Sequence, residues 1–295
     1  MRVTQEGMVQ NTLLRLQERI GRLDEAGRRL SSGKIVQVAS DDVSGMNRVL
    51  SLRARIRSRE QEERNAADGL TLLNIADSKL QTVNTRLLRV RELTVRAANT
   101  TDPAARESLA KEIEAIRDDI ASVANTSIDG RMLFAGTANV PQAVTVPGFA
   151  YAGDYNAIQR RVSDEDLVTV NVNAGELFGF DLPAGQDLFS QLDGLAADIR
   201  TSNGTTVSAR LDELDAGVAR INRGLAAVGA ATNRIDAAMV RNSDEQLALK
   251  GELAKVEDVD LAEAIMDLQT QEVAYQATLA ALSRVLQPSL VDFLR

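Results

Sequence analysis

"VSARLDELDAGVARINRGLAAVGAATNRIDAAMVRNSDEQLALKGELAKV", Val207–Val256, steps between its seam positions by alternating fours and threes. The seam runs Val207, Leu211, Leu214, Val218, Ile221, Leu225, Val228, Thr232, Ile235, Met239, Asn242, Gln246, Leu249, Leu253 and Val256, with no proline to interrupt it. That spacing is the 3.5-residue period of a helix lying along a partner helix. Roughly 50 residues of helix reach about 75 Å. Thr232, Asn242 and Gln246 are polar where an apolar residue would stabilise most, and such residues fix register at a cost in stability.

The partner must come from the other half of the chain. Leu73, Ala76, Leu80, Val83, Leu87, Val90, Thr94 and Ala97 form a similar seam. "NTTDPAAR" breaks it, with Asp102 as an N-cap and Pro103 at the first helical position. A third seam follows at Leu109, Ile113, Ile116, Ile120 and Val123. At the two ends lie shorter amphipathic helices. Leu13, Leu16, Ile20, Leu23 and Leu30 line one, and Leu261, Ile265, Leu268, Tyr275, Leu279, Leu282 and Leu286 line the other. Leu290, Val291, Phe293 and Leu294 extend the apolar character to the last residues.

Between the halves the pattern changes. "TSIDGRMLF" reads as a small hairpin near 126–134, with Asp129 and Gly130 supplying the positive φ angles of a tight turn. "VTVNVNA" alternates with period two, and five of the six phenylalanines fall between Phe134 and Phe189. The expected fold is therefore mainly α: an elongated antiparallel helical bundle or coiled-coil rod built from both chain halves, with a small β-rich insert in the middle. The divisions expected are 1–43 with 258–295 as terminal assembly helices, disordered or mobile in the monomer, 44–138 with 205–257 as a helical rod, and 139–204 as the insert.

Composition restricts the chemistry. Among 295 residues there is no cysteine and no histidine, so disulfides, thiolate ligands and the commonest general base are absent. Aromatics make up only 3%, as suits long aliphatic-packed helices. A net charge of −8 disfavours indiscriminate contact with nucleic acid or anionic membrane, and no apolar run approaches the length of a membrane span. The first residues, "MRVTQEGMVQNTLLR", lack the apolar core of a cleaved secretory signal.

"RLSSGKIVQVASDDVSG", residues 29–45, is the one stretch that invites a ligand reading. A phosphate loop needs two glycines five apart before Lys-Ser/Thr; Gly27 is one position too far from Gly33, and Ile35 follows Lys34. Asp41 and Asp42 lack the further carboxylates of a calcium loop. Capping is the simpler use: Ser32 and Gly33 end the first helix, and Asp41 or Asp42 starts the next, complementing its dipole. Arg53, Arg55, Arg57, Arg59 and Arg64 alternate with Glu60, Glu62 and Glu63, which speaks for a solvated or protein-facing surface rather than for nucleic acid. The acidic pairs Asp118-Asp119 and Asp212-Glu213 lie between seam positions, and no catalytic constellation emerges. The terminal helices have little else in the chain to cover them, so they either pair with each other or await another subunit.

Several of these stretches occur in the order and spacing of a known family. "RLSSGKIVQVASDDVSG", "ANTSIDGRMLFAG" and "VGAATNRID" resemble the signatures of bacterial flagellins and their relatives. The beginning, "MRVTQEGMVQNTLLRLQ", and the end, residues 261–295, are most similar to the hook-associated protein 3 branch, which forms hook–filament junctions. The resemblance covers both helical halves. It implies an extracellular structural protein exported through the flagellar type III channel without a cleaved signal. The terminal helices, with Leu13 to Leu30 and Leu268 to Leu294, would form an inner assembly layer. Its partners would be further copies of itself, a neighbouring hook-associated protein, flagellin, and a cytosolic export chaperone masking the C-terminal helix. No cofactor, metal, nucleic acid or membrane insertion is implied. Filament flagellin, and a cytosolic coiled-coil scaffold, are the alternative readings.

Overall fold

The structure is a computed structural model that describes residues 2–40, 42–201 and 204–286, and side chains from residue 10 to 283 apart from Thr12. Asp41, Leu290, Phe293 and Leu294, and the side chain of Leu286, lie outside the described residues. The fold is mainly α, with long helices packed on one another and few, short strands. In order these are α1 (Arg2–Ser32), α2 (Val43–Ala98), α3 (Pro103–Ala124), β1 (Ser127–Ile128), β2 (Arg131–Met132), β3 (Gln159–Arg161), β4 (Leu167–Thr169), α4 (Ala174–Phe178), α5 (Leu188–Thr201), α6 (Gly204–Glu257) and α7 (Leu261–Leu286). Two compact units result: residues up to Ser58 with those from Glu245, and Arg59–Asp244. The division falls inside α2 and α6 rather than at their ends, because the start of α2 and the end of α6 share a small core of Leu52, Ile56 and Leu249, flanked by Leu253.

The Arg59–Asp244 unit is built on the seams. Every α2 seam residue from Leu73 to Ala97 is buried, including Thr94, whose hydroxyl donates to the Val90 carbonyl at 2.7 Å. On α6 the residues recurring every seven positions, Val207, Leu214, Ile221, Val228, Ile235 and Asn242, are all buried. The intervening seam members Leu211, Val218, Leu225, Thr232 and Met239 are half-buried. Leu109, Ile113, Ile116 and Ile120 of α3 are buried, and α3 packs on α5. Asp102 caps α3 as its sequence suggests, accepting from the Ala104 and Ala105 amides at 3.2 Å. Burying one such aliphatic side chain contributes about 1.5–3 kcal/mol, so packing rather than helix propensity carries these helices.

Residues 139–204 hold the strands expected of them, but also α4 and α5. The β3–β4 pair is antiparallel and only three residues long, with Arg160 opposite Val168. The core of this segment is aromatic. Phe149 stacks on Phe189 at 5.2 Å, Phe178 meets Phe189 edge-on at 5.4 Å, and the Arg117 guanidinium of α3 lies 4.6 Å over Phe149. Buried Leu188, Leu192, Leu195 and Ile199 give α5 a helical seam of its own.

Polar anchors fix the β3–β4 turn to both long helices. The buried Asn242 amide donates to the Val162 carbonyl at 2.8 Å, and Asn65 of α2 donates to the Arg161 carbonyl at 3.1 Å. Arg59 bridges buried Glu62 and Asp164, while Arg234 pairs with Asp166. Asp154 ties residues 135–156 together. Its carboxylate accepts from the Thr137 hydroxyl and amide and from the Asn156 amide, and these bonds hold its pKa down at about 2.

Two outcomes follow from these anchors. Asn242→Ala strands the buried Val162 carbonyl, and urea unfolding should register a loss of about 1–3 kcal/mol, whereas the exposed Asn222→Ala should register almost none. The folded pKa of Asp154 lies below the unfolded value of about 3.9. Its contribution to stability is therefore complete above about pH 4 and lost as pH falls through about 2. Asp154→Asn should flatten that part of the stability–pH curve; an unaltered acid limb would show that these hydrogen bonds do not favour the carboxylate.

Candidate assembly site

The terminal helices do pair: α1 packs along α7. Among the described side chains Ala26 is the buried hydrophobic residue of α1 and Ala264 that of α7. Leu16, Leu23 and Leu30 are half-buried, as are Leu268, Tyr275 and Leu282. Leu13, Ile20 and Leu279 remain exposed at 45%, 47% and 38%. Around them Leu14, Leu261, Ile265, Met266 and Val273 are exposed as well, so each helix carries more apolar surface than its partner covers.

The two chain breaks that bound these helices lie side by side. Gly33 adopts φ +70°, and its amide donates to the Arg29 carbonyl at 2.9 Å, closing α1 with the left-handed residue that glycine supplies most readily. The Ser32 hydroxyl donates to the Arg29 carbonyl at 3.4 Å and accepts from the Lys34 amide at 3.2 Å and from the Gln37 side chain. Asp42 starts α2, its carboxylate accepting from the Ser44 amide at 2.9 Å. Asp260 starts α7 in the same way, accepting from the Ala262 amide at 2.9 Å. Between these caps the chain forms an antiparallel bridge. The Ile35 amide donates to the Glu257 carbonyl at 2.7 Å, and the Val259 amide donates to the Gly33 carbonyl at 2.9 Å.

Sequence spacing gave no sign of the charge cluster at this bridge. The Glu257 side chain, 3% exposed, takes both Lys34 and Arg53 on one carboxylate oxygen, Arg53 at 2.6 Å. Burial pushes its pKa up, but the two cations outweigh that and leave it below the usual carboxylate range. Arg53 thus serves the joint, and Arg59 serves the β3–β4 turn, rather than forming one basic surface with Arg55, Arg57 and Arg64. Asp129 and Gly130, in the other unit, have φ of 49° and 79° in the two-residue turn between β1 and β2, the twist that short hairpins favour. Among the described residues no three acidic side chains are placed to hold a metal ion.

Residues 3–139 match the model of the bacterial flagellin N-terminal helical region, and residues 211–294 match that of the bacterial flagellin C-terminal helical region. A flagellin of Bacillus subtilis is 27% identical over 308 aligned positions, covering 97% of each chain. Among solved structures, flagellar hook-associated protein 3 of Legionella pneumophila superposes with a TM-score of 0.64 at 15% identity, over 70% of this chain and 98% of that one. Bacillus cereus FlgL gives 0.58 at 22% identity, over 68% and 97%. The two family models lie on the two helical halves and between them leave only the middle of the chain unmatched. The chain belongs to the bacterial flagellin family, whose members are structural proteins of the flagellum.

Proposed function

We propose that this protein is the structural subunit joining hook to filament, assembling with copies of itself through α1 and α7. The observation that carries the reading is the incomplete cover of those helices. Leu13, Leu14, Ile20, Ile265, Met266 and Val273 are exposed although α1 and α7 already pack on each other. Repeated heterologous contacts between such faces close into rings or continue as helical assemblies. The fold likeness to solved structures named hook-associated protein 3 and FlgL supports the junction role. The protein acts as scaffold and not as an enzyme, outside the cell, between a neighbouring hook-associated protein and flagellin. Before export a cytosolic chaperone covers the α7 face, which would otherwise present apolar surface to the cytosol.

Filament flagellin is the second reading, favoured by sequence relatives named flagellin that match along nearly the whole chain. Membership of the family leaves the cytosolic scaffold without support. Immunogold labelling of intact flagella with antibody to residues 139–204 separates the two remaining readings. The junction reading expects label confined to the hook–filament boundary, and, in cells lacking the protein, hooks without filaments. Label along the whole filament would establish the flagellin reading instead.

A further inference from the structure

Between α6 and residues 155–176, inside the Arg59–Asp244 unit, lies an open cavity of about 440 Å³. That volume is in the range of small-molecule sites. Its floor is apolar: Leu73, Val168 and Val228 are each 1% exposed, and α6 adds three alanines between residues 227 and 231. The polar groups of the walls are only partly committed. Asn173 is 8% exposed; its Oδ1 accepts from the Tyr151 hydroxyl, while its amide nitrogen meets no acceptor among the described residues. A largely buried amide that keeps a donor free in a cavity wall is a group that a ligand can complete.

Tyr155 forms a second wall. Its ring lies against Gly175, where any Cβ would clash with Cε1, and it meets Tyr151 edge-on at 5.5 Å. The ring is thus held in place although it is 50% exposed. Burial, and then the charges of Asp181 and Glu176, raise the pKa of its hydroxyl. It stays a neutral donor and acceptor, and it bonds to no described residue. The exposed Glu176 carboxylate pairs with no described cation, and the Asn156 Oδ1 atom is also uncommitted. An apolar floor, a fixed aromatic wall and free groups of both hydrogen-bonding senses suit a ligand with an apolar face and a rim of hydroxyls. We propose that this cavity binds a neutral pyranose sugar, with Tyr155 against the C–H face of the ring and Asn156, Asn173 and Glu176 on its hydroxyls. An organic cation fits less well. Glu176 is solvated, so an ion pair there contributes little, and Arg234, held by Asp166, stands on the rim and repels a second positive charge. A wholly apolar ligand would leave the Asn173 donor stranded. The inference goes beyond the assembly reading and makes no use of α1 or α7.

Saturation-transfer NMR on the full-length protein tests the site. The probes are the methyl α-D-pyranosides of glucose, galactose and mannose, together with N-acetylglucosamine, and N-acetyl-arginine amide serves as the cationic comparison. Saturation should reach the ring C–H protons of at least one sugar, with a Kd of about 1 mM. Tyr155→Ala should weaken that binding about tenfold and Glu176→Gln about fivefold, while Arg131→Gln, outside the cavity, should leave it unchanged. Glu176 is exposed, so its variant should keep the parent Tm and remain informative even where loss of the tyrosine ring unsettles the fold. Three results would overturn the proposal: no transfer to any of the sugars, sugar binding that Glu176→Gln leaves undiminished, or binding of the arginine amide in place of the sugars.

Discussion

Along α6 the side chains of Val207, Leu214, Ile221, Val228 and Ile235 recur every seven residues and all are buried, so the helix needs apolar partners along one face for most of its length. Neither chain half contains enough surface to meet that need locally. The partners are supplied by α2 and, through residues 139–201, by α4, α5 and the β3–β4 pair, all within one continuous core. Asn242 occupies the next position of the same seven-residue series. Because its amide must find an acceptor once buried, it binds the Val162 carbonyl and so sets where the middle segment sits on the helix. The aliphatic series gives adhesion, and the single polar member gives position.

Much of this is legible in the residues. The seams of α2, α3 and α6 follow from spacing alone, the α3 cap from Asp102-Pro103, and the β1–β2 turn from Asp129-Gly130. The middle segment was harder to read. "VTVNVNA" alternates like a longer strand, yet β4 stops at Thr169, and just beyond it the Ile158 amide donates to the Asn171 side chain at 2.8 Å instead of to a backbone carbonyl. Helix α5 is not among the expected elements, although Leu188, Leu192, Leu195 and Ile199 keep helical spacing. It was obscured by the glycines, prolines and aromatics that dominate its surroundings. Glu257, Lys34 and Arg53 could not be found from spacing, because long-range charge pairing leaves no periodic trace; only the folded chain brings residue 257 to residues 34 and 53.

The same rule of covering apolar faces explains why the terminal helices differ from the long ones. In the Arg59–Asp244 unit the seams are enclosed on every side the core provides, and a buried threonine and asparagine find partners. In the other unit α1 packs along α7 with Ala26 and Ala264 buried, while larger apolar residues of both helices stay in water. Exposed apolar surface of this kind, repeated on two adjacent helices, is a feature of proteins completed by their neighbours. The family to which the chain belongs builds polymers, and the proposed function assigns the exposed faces to that assembly.

The most direct measurement replaces exposed apolar residues on both helices, Ile20→Asp and Val273→Asp, in the full chain. It compares monomer Tm with recovery of the variant in sheared flagella. Both side chains face water in the monomer, at 47% and 66% exposure, so Tm should stay within the small range of surface substitutions while recovery in flagella is lost. Undiminished recovery, or a Tm that falls as a core substitution would make it fall, would contradict the claim that these faces are kept for neighbouring subunits.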